Sequence, residues 1–406
     1  MNIENKIKKP ELLAPAGNWT MLTTAVKNGA DAVYFGVEKL NMRARAKNFL
    51  LDELEQAVNY CHENGVDAHL TLNTIVYENE LNELNEILTA AKKAGVDMVI
   101  AWDFAVIQKI LEYELPLCVS TQASVSNSDS AKFFEKLGAK RIVLARECTL
   151  EQIKEIKQKV NVEIEAFIHG AMCVAVSGRC FMSHYAFGHS ANRGDCIQPC
   201  RREYQIIDIE GNASFIIGED YVMSPKDLMT IEFIDKLILA GIDALKIEGR
   251  KRSPEYLARV VSVYRQAIDA FFTNNLSDEL KQKLADELKK VYNRGFSAGF
   301  YFGRPGAEDF ATQRGSIATT RKRYAGKVIN YFKKSKIAHI KLEAEELELG
   351  NKIYIIGETT GTLELEMESM VIDEQFVEKA PKGSEITFKL NKVVRPNDKV
   401  YKIIQL

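Results

Sequence analysis

Four of the seven cysteines of this 406-residue chain fall in one stretch, GAMCVAVSGRCFMSHYAFGHSANRGDCIQPCRR, residues 170–202. Thiols grouped in this way serve as metal ligands, disulfide partners, a nucleophile with its neighbours, or small core hydrophobes. Cys173, Cys180, Cys196 and Cys200 are separated by six, fifteen and three residues. Structural zinc normally uses two CxxC knuckles, and this spacing is different. Iron-sulfur clusters also take four thiolates, and irregular loops can carry them. Glycines at 170, 178, 188 and 194 let backbone turn sharply or approach a bulky group. Phe181, Tyr185 and Phe187 are expected to exclude water from it. Spacing alone leaves zinc, iron-sulfur, disulfides and buried thiols open. An odd cysteine count and an N-terminus, MNIENKIKKPELLAPAG, without an apolar run after its lysines favour reduced thiols and a cytoplasmic protein.

Other catalytic patterns are missing. There is no HExxH for a zinc peptidase and no GxSxG for a serine elbow. Of the six histidines only His169, His184 and His189 lie near the cysteines. A cysteine nucleophile remains open in principle, but four clustered thiols are better explained as ligands than as one nucleophile with three spectators.

The first 250 residues repeat a short apolar strand followed by a helical stretch, often closed by Gly. ELLAPAG, ADAVYFG, VDAHLTLNT, VDMVIAW, LCVSTQ, KRIVLARE, VEIEAFIHG and IDALKIEG supply eight strands. Such units predict an α/β protein with a (β/α)8 TIM-like barrel. A doubly wound open sheet is the alternative, but no GxGxxG follows the first strand. The interval 171–241 is long for such a unit and holds the cysteines, a hairpin EYQIIDIEGNASFIIG, and SPKDLMTIEFIDKLILAG, expected as an amphipathic helix. Long loops in such barrels belong at the C-terminal ends of strands, which places the cysteines at the mouth. The expected domains are a catalytic barrel over 1–302, with the cysteine loop at 171–202 and helices at 253–293, a linker over 303–322, and a small all-β barrel over 323–406, where the apolar period becomes two.

Polar residues mark the strand ends: Glu11, Asn73, Asp103, Gln122, Arg146 and Glu147. Glu165 and His169 belong to strand seven, and Lys246, Glu248, Arg250 and Lys251 surround strand eight. Glu165, His169, Lys246 and Glu248 are the candidates for proton transfer. Alternation turns Lys246 and Glu248 to one side, as a possible ion pair inside the barrel, and Glu165 suits neutralisation of a buried cation.

EAFIHGAMCVAVSGRCFMS (165–183) closely resembles the signature of the collagenase-like peptidase family. LLAPAG, DAVYFG, NRGDCIQPCRR, LKIEGRKRSPEY and YNRGFSAGF resemble its other blocks, and the terminal β module resembles its C-terminal extension. The resemblance covers residues 12 to about 302. It implies that Cys173, Cys180, Cys196 and Cys200 hold a 4Fe-4S cluster; Zn is the alternative metal that the spacing leaves open. It also implies prephenate-dependent hydroxylation without molecular oxygen, for a chain of this layout of the wobble uridine of tRNA to 5-hydroxyuridine. Prephenate is a dicarboxylate, for which fixed cations are needed. Arg43, Arg45, Arg146 and Arg250, with Gln122, are the substrate-binding candidates. The family name keeps a peptidase as an alternative, and a non-catalytic RNA-binding or assembly subunit, working with a homologous partner subunit, is another.

A net charge of -2 and a pI near 6.4 exclude a globally basic surface, not a local patch. TRKRYAGKVINYFKKSK, residues 320–336, holds Arg321, Arg323, Lys327, Lys333 and Lys334 among aromatics with no acidic residue. It is the expected tRNA contact, the alternative being a lysine-protected sheet edge. No window of 18 uninterrupted apolar residues occurs, so no membrane span is expected.

Overall fold

The computed structural model describes residues 7–43, 47–208, 210, 213–217 and 223–406; for 204–208 and 213–217 the backbone alone is described. Seven parallel strands come first: β1 (Glu11–Pro15), β2 (Ala32–Phe35), β3 (Asp67–Thr71), β4 (Met98–Ala101), β5 (Leu117–Val119), β6 (Arg141–Val143) and β7 (Glu163–Gly170). After an antiparallel hairpin of β8 (Tyr204–Asp208) and β9 (Ala213–Ile217) and a short β10 (Asp227–Met229), β11 (Ala244–Ile247) pairs in parallel with both β1 and β7. That double pairing closes an eight-stranded barrel, and the eight strands are those expected from the sequence.

Helices α1 (Trp19–Lys27), α2 (Leu54–Glu63), α3 (Leu81–Ala94), α4 (Phe104–Glu112), α5 (Ser128–Leu137) and α6 (Leu150–Lys157) alternate with the strands. Each buries one stripe. On α3 it is Leu84, Ile87, Leu88 and Ala91, and burial of each large member contributes about 1.5–3 kcal/mol. Gly95 closes that helix at φ 73°, a left-handed conformation that costs a side chain-bearing residue more. Inside the barrel Leu13, Tyr34, Ile100, Cys118 and Val143 form an apolar cluster.

The segment expected as an amphipathic helix differs. Leu228 and Met229 pair antiparallel with Gly170 and His169, because β7 runs beyond its partner β6, whose pairing ends at Glu165, and leaves a free edge. Besides α7 (Met182–Phe187), α8 (Ile234–Leu239) is the α-helix that the described residues form between β7 and β11. The expected helices at 253–293 are α9 (Pro254–Phe272) and α10 (Asp278–Lys289), and β12 (Phe296–Ser297) then joins β10.

The connector after residue 302 lies against the barrel domain. Phe310 bridges to Pro225, and the Ala311 N–H donates to the Ser224 carbonyl at 2.8 Å. β13 (Thr320–Phe332) starts an antiparallel sheet three residues before the expected boundary and pairs with β14 (Ile337–Leu342) and with Lys399–Gln405. This module encloses its own core around Val328, Ile340, Ile353, Ile386 and Val400. It docks on the barrel through α1 and α9: the Lys27 ammonium donates to the Thr359 carbonyl at 2.7 Å, and Arg259 pairs with Glu364. No described helix is long and apolar enough to cross a membrane.

Candidate active site

A cavity of about 180 Å³ opens at the C-terminal ends of the barrel strands, and all four clustered cysteines line it. Arg43, Arg146, Arg250, Lys246, Glu248 and Gln122 line the same cavity. Residues from five separate chain segments therefore meet where the barrel delivers its strand ends. Arg45 lies outside the described residues.

The cysteine loop is held down by close backbone contact. A side chain at Gly194, φ 80°, would meet the Asn41 carbonyl oxygen at 2.4 Å, and one at Gly178 would meet Gln122 at 2.6 Å. Each glycine thus lets the loop lie against the wall that carries the arginines. Cys173 is exposed, and Cys180, Cys196 and Cys200 are partly buried. Burial raises the Cys200 pKa; Arg201 opposes this, while the other three cysteines push in the same direction as burial. Four thiols round one cavity fit a four-thiolate centre, whether one tetrahedral zinc or an iron-sulfur cluster. The aromatics expected to shield them do otherwise. Phe181 and Tyr185 are 70% and 93% exposed, and Phe187 is also exposed.

Cations outnumber acids in this cavity. Glu248 accepts from Arg43 in a very short contact. Burial alone would raise the Glu248 pKa, but Arg43, Arg146 and Arg250 more than offset it and hold it down to about 2. Arg250 donates to Thr71 at 2.9 Å and Asn41 at 3.2 Å, and burial together with Arg43 lowers its pKa to about 10. Arg146 lies 4.2 Å over the Phe167 ring and donates to the Ala171 carbonyl at 3.2 Å. Its Nε is buried without a hydrogen-bond partner in the protein. Gln122 is buried, accepts from Ser120 and donates to the Asn73 carbonyl at 3.1 Å. Arg201, which the cysteine spacing gave no reason to single out, also lines the cavity. It donates to the Met172 and Pro225 carbonyls at 2.6 Å, its Nε is also unpartnered, and burial lowers its pKa to about 10. Buried donors left open, beside excess positive charge, suit an anion.

Two expectations change and one holds. Lys246 and Glu248 share a face but do not bond each other: Lys246 pairs with Glu165 at 2.6 Å, and Glu248 pairs with Arg43. Glu165 is fully buried beneath the cavity and also meets Arg141 at 3.4 Å, so it neutralises interior cations. His169 does not line the cavity. Between Lys246 and Ile247 the β7–β11 register slips by one residue, and such a bulge turns the following side chain to the other face. The His169 ring packs among Tyr256, Tyr264 and Phe296, and burial there lowers its pKa to about 3. That environment fits a neutral structural histidine rather than a proton carrier.

Strand starts carry a second polar group. Glu11 accepts from Arg141 at 2.7 and 2.9 Å at the opposite end of the barrel. With Asp67 and His69 it forms a compact acid–histidine group, far from the cysteines along the strand direction. Asp103 caps α4, accepting from the Ala105 N–H at 2.9 Å.

The basic segment of the β module is partly neutralised across strands. Lys327 meets Glu343 at 3.0 Å, Arg323 meets Glu345 at 3.8 Å, and Lys322 meets Glu255 at 2.7 Å. Arg321, Lys333 and Lys334 remain exposed. Contiguity in sequence hid the acidic residues that sheet pairing brings alongside.

Comparison with known proteins agrees with this architecture. The model of peptidase family U32 matches residues 17–311. An uncharacterized protease of Methanocaldococcus jannaschii is 45% identical over 400 residues, covering 96% of this chain and 97% of the relative. A collagenase of Porphyromonas gingivalis is 39% identical, covering 97% of each chain. The tRNA hydroxylation protein P1 of Bacillus subtilis is 40% identical over 330 residues, covering 80% of this chain and 78% of the relative. The chain belongs to peptidase family U32.

Proposed function

We propose that this protein is an RNA-modifying hydroxylase that converts the wobble uridine of tRNA to 5-hydroxyuridine. The observation that carries the reading is the meeting of four cysteines and a cluster of buried cations in one cavity at the barrel mouth. The likeness to the tRNA hydroxylation protein of Bacillus subtilis supports it. Cys173, Cys180, Cys196 and Cys200 would hold a 4Fe-4S cluster, which supplies one-electron redox chemistry when bound.

Arg146, Arg250 and Arg201 bind the carboxylates of prephenate, and Arg43 keeps Glu248 ionised beside them. Gln122, fixed between Ser120 and the Asn73 carbonyl, offers a neutral polar wall. Loss of the prephenate ring hydroxyl together with its ring carboxylate, as CO2, aromatises the ring and provides the oxygen at the hydroxide level. Replacing C5–H by C5–OH with that oxygen releases two electrons and one proton, and an external redox carrier accepts the electrons. Glu248, held ionised by its arginine neighbours, fixes the Arg43 guanidinium at the cavity wall, and the proton leaves to solvent.

Peptidase chemistry has less support. Among the described residues the cavity lining contains no histidine, so no thiol or hydroxyl there has an imidazole base, and the compact acid–histidine group sits at the other end with Glu11 already bound to Arg141.

The test is nucleoside analysis of tRNA from cells lacking the protein. 5-Hydroxyuridine should disappear and return with the wild-type chain but not with Cys200→Ala. An unchanged nucleoside profile in the deletion strain would refute the assignment.

A further inference from the structure

The rim of the cavity carries side chains that neither the barrel core nor the cysteine site uses. Tyr77, Phe104, Phe181, Tyr185 and Phe187 are all exposed, on the loops after β3, β4 and β7. These loops all belong to the mouth. Phe181 and Tyr185 are four residues apart across the start of α7, which sets both rings on one side of that turn. Isolated exposed apolar residues are ordinary, but several around one opening mark a contact surface.

Arginines stand beside the rings. Arg193 lies 4.7 Å from the Tyr77 ring, Arg179 5.4 Å from Trp102, and Arg202 4.3 Å from Phe187. The stretch 170–202 contains four arginines and a single acidic residue, Asp195; Arg193 is paired with Glu80 and Arg201 faces the cavity, which leaves Arg179 and Arg202 as the rim cations. Asp195 is itself bonded to His189 at 2.7 Å.

Flat rings interleaved with guanidinium groups are what unpaired nucleotides require. Bases lie on the aromatic faces, and phosphates meet the cations. A duplex offers no free base faces to such a surface. A peptide would use the rings but leaves the surplus positive charge unanswered. We infer that the rim formed by the loops after β3, β4 and β7 is a stacking platform for single-stranded RNA, holding the nucleotides that flank the base in the cavity. This rests on the RNA-hydroxylase reading and sharpens it: the substrate must present its target in an unpaired loop. The contact also lies at the mouth, on the same side as the chemistry, rather than on the lysines of the β module.

The experiment measures fluorescence anisotropy of two labelled probes, a 12-nucleotide oligouridylate and an RNA duplex of the same length, with anaerobically reconstituted full-length protein. The variants are Phe181→Ala with Tyr185→Ala, and Lys333→Glu with Lys334→Glu. Each protein is first checked for an unchanged melting temperature and iron content. Both rings are exposed, so the fold should be preserved. The single strand is expected to bind at least tenfold more tightly than the duplex, and the ring variant to lose about tenfold for each ring removed. The lysine variant should lose much less. Unchanged affinity of the folded ring variant, equal affinity for the duplex, or a larger loss in the lysine variant each overturns the platform. If any of these occurs while the deletion strain still lacks 5-hydroxyuridine, the platform falls and the hydroxylase stands. If wild-type protein binds neither probe and the nucleosides are unchanged by deletion, both fall.

Discussion

Arg146→Ala is expected to weaken prephenate binding about a hundredfold in calorimetric titration of the reconstituted protein, with iron content unchanged. The guanidinium is buried over Phe167, and its Nε is an open donor in the cavity. A hydrogen bond to a charged partner contributes about 1.5–3 kcal/mol, and a two-pronged guanidinium–carboxylate contact loses two at once. Arg146→Lys keeps the charge but not the planar fork, and should recover only part of the affinity. Removing Arg146 also withdraws one of the three cations that hold Glu248 ionised. Affinity within twofold of wild type in the alanine variant would remove Arg146 from the anion site.

Lys246→Met should destabilise the barrel by about 3–5 kcal/mol, the usual cost of leaving one partner of a buried pair behind. Glu165 is fully buried, with Lys246 at 2.6 Å and Arg141 at 3.4 Å, and Arg141 is shared with Glu11 and Glu163. The interior therefore holds one connected charge network, in which a missing ammonium leaves a carboxylate short of compensation. Adding Glu165→Leu to Lys246→Met should restore much of the stability, since removing both charges also removes the desolvation cost. Denaturant midpoints of the two single variants and the double test this. A single Lys246→Met variant as stable as wild type would show that Arg141 alone satisfies Glu165. The double variant also separates packing from chemistry: if it is stable but inactive, Lys246 acts on the substrate as well as on Glu165.

The barrel was legible because its strands are short apolar runs with helices of period 3.6 between them, signals set by local burial. The two features that moved depend on pairing between distant segments. Leu228 and Met229 look helical in sequence, yet the free edge of β7 recruits them as a strand. His169 reads as an inward residue by strict alternation, yet one extra residue in β7 against β11 sends it behind the wall. The site shows the same division. Cys173, Cys180, Cys196 and Cys200 were recognisable by type and proximity, and Arg43, Arg146, Arg250 and Gln122 by their places near strand ends. Arg201 gave no comparable signal, because its role comes from the fold of the cysteine loop against Ser224 and Pro225. The basic run of β13 is less free than its sequence shows for a related reason: Glu343 and Glu345 follow the turn that returns the chain beside it, while Arg321, Lys333 and Lys334 stay exposed.

The most direct test of the account is the metal content of the protein purified without oxygen. The four-cysteine site predicts about four irons and four acid-labile sulfides per chain, lost when Cys173, Cys180, Cys196 or Cys200 is replaced by alanine. One zinc per wild-type chain, with no iron or sulfide, would contradict it.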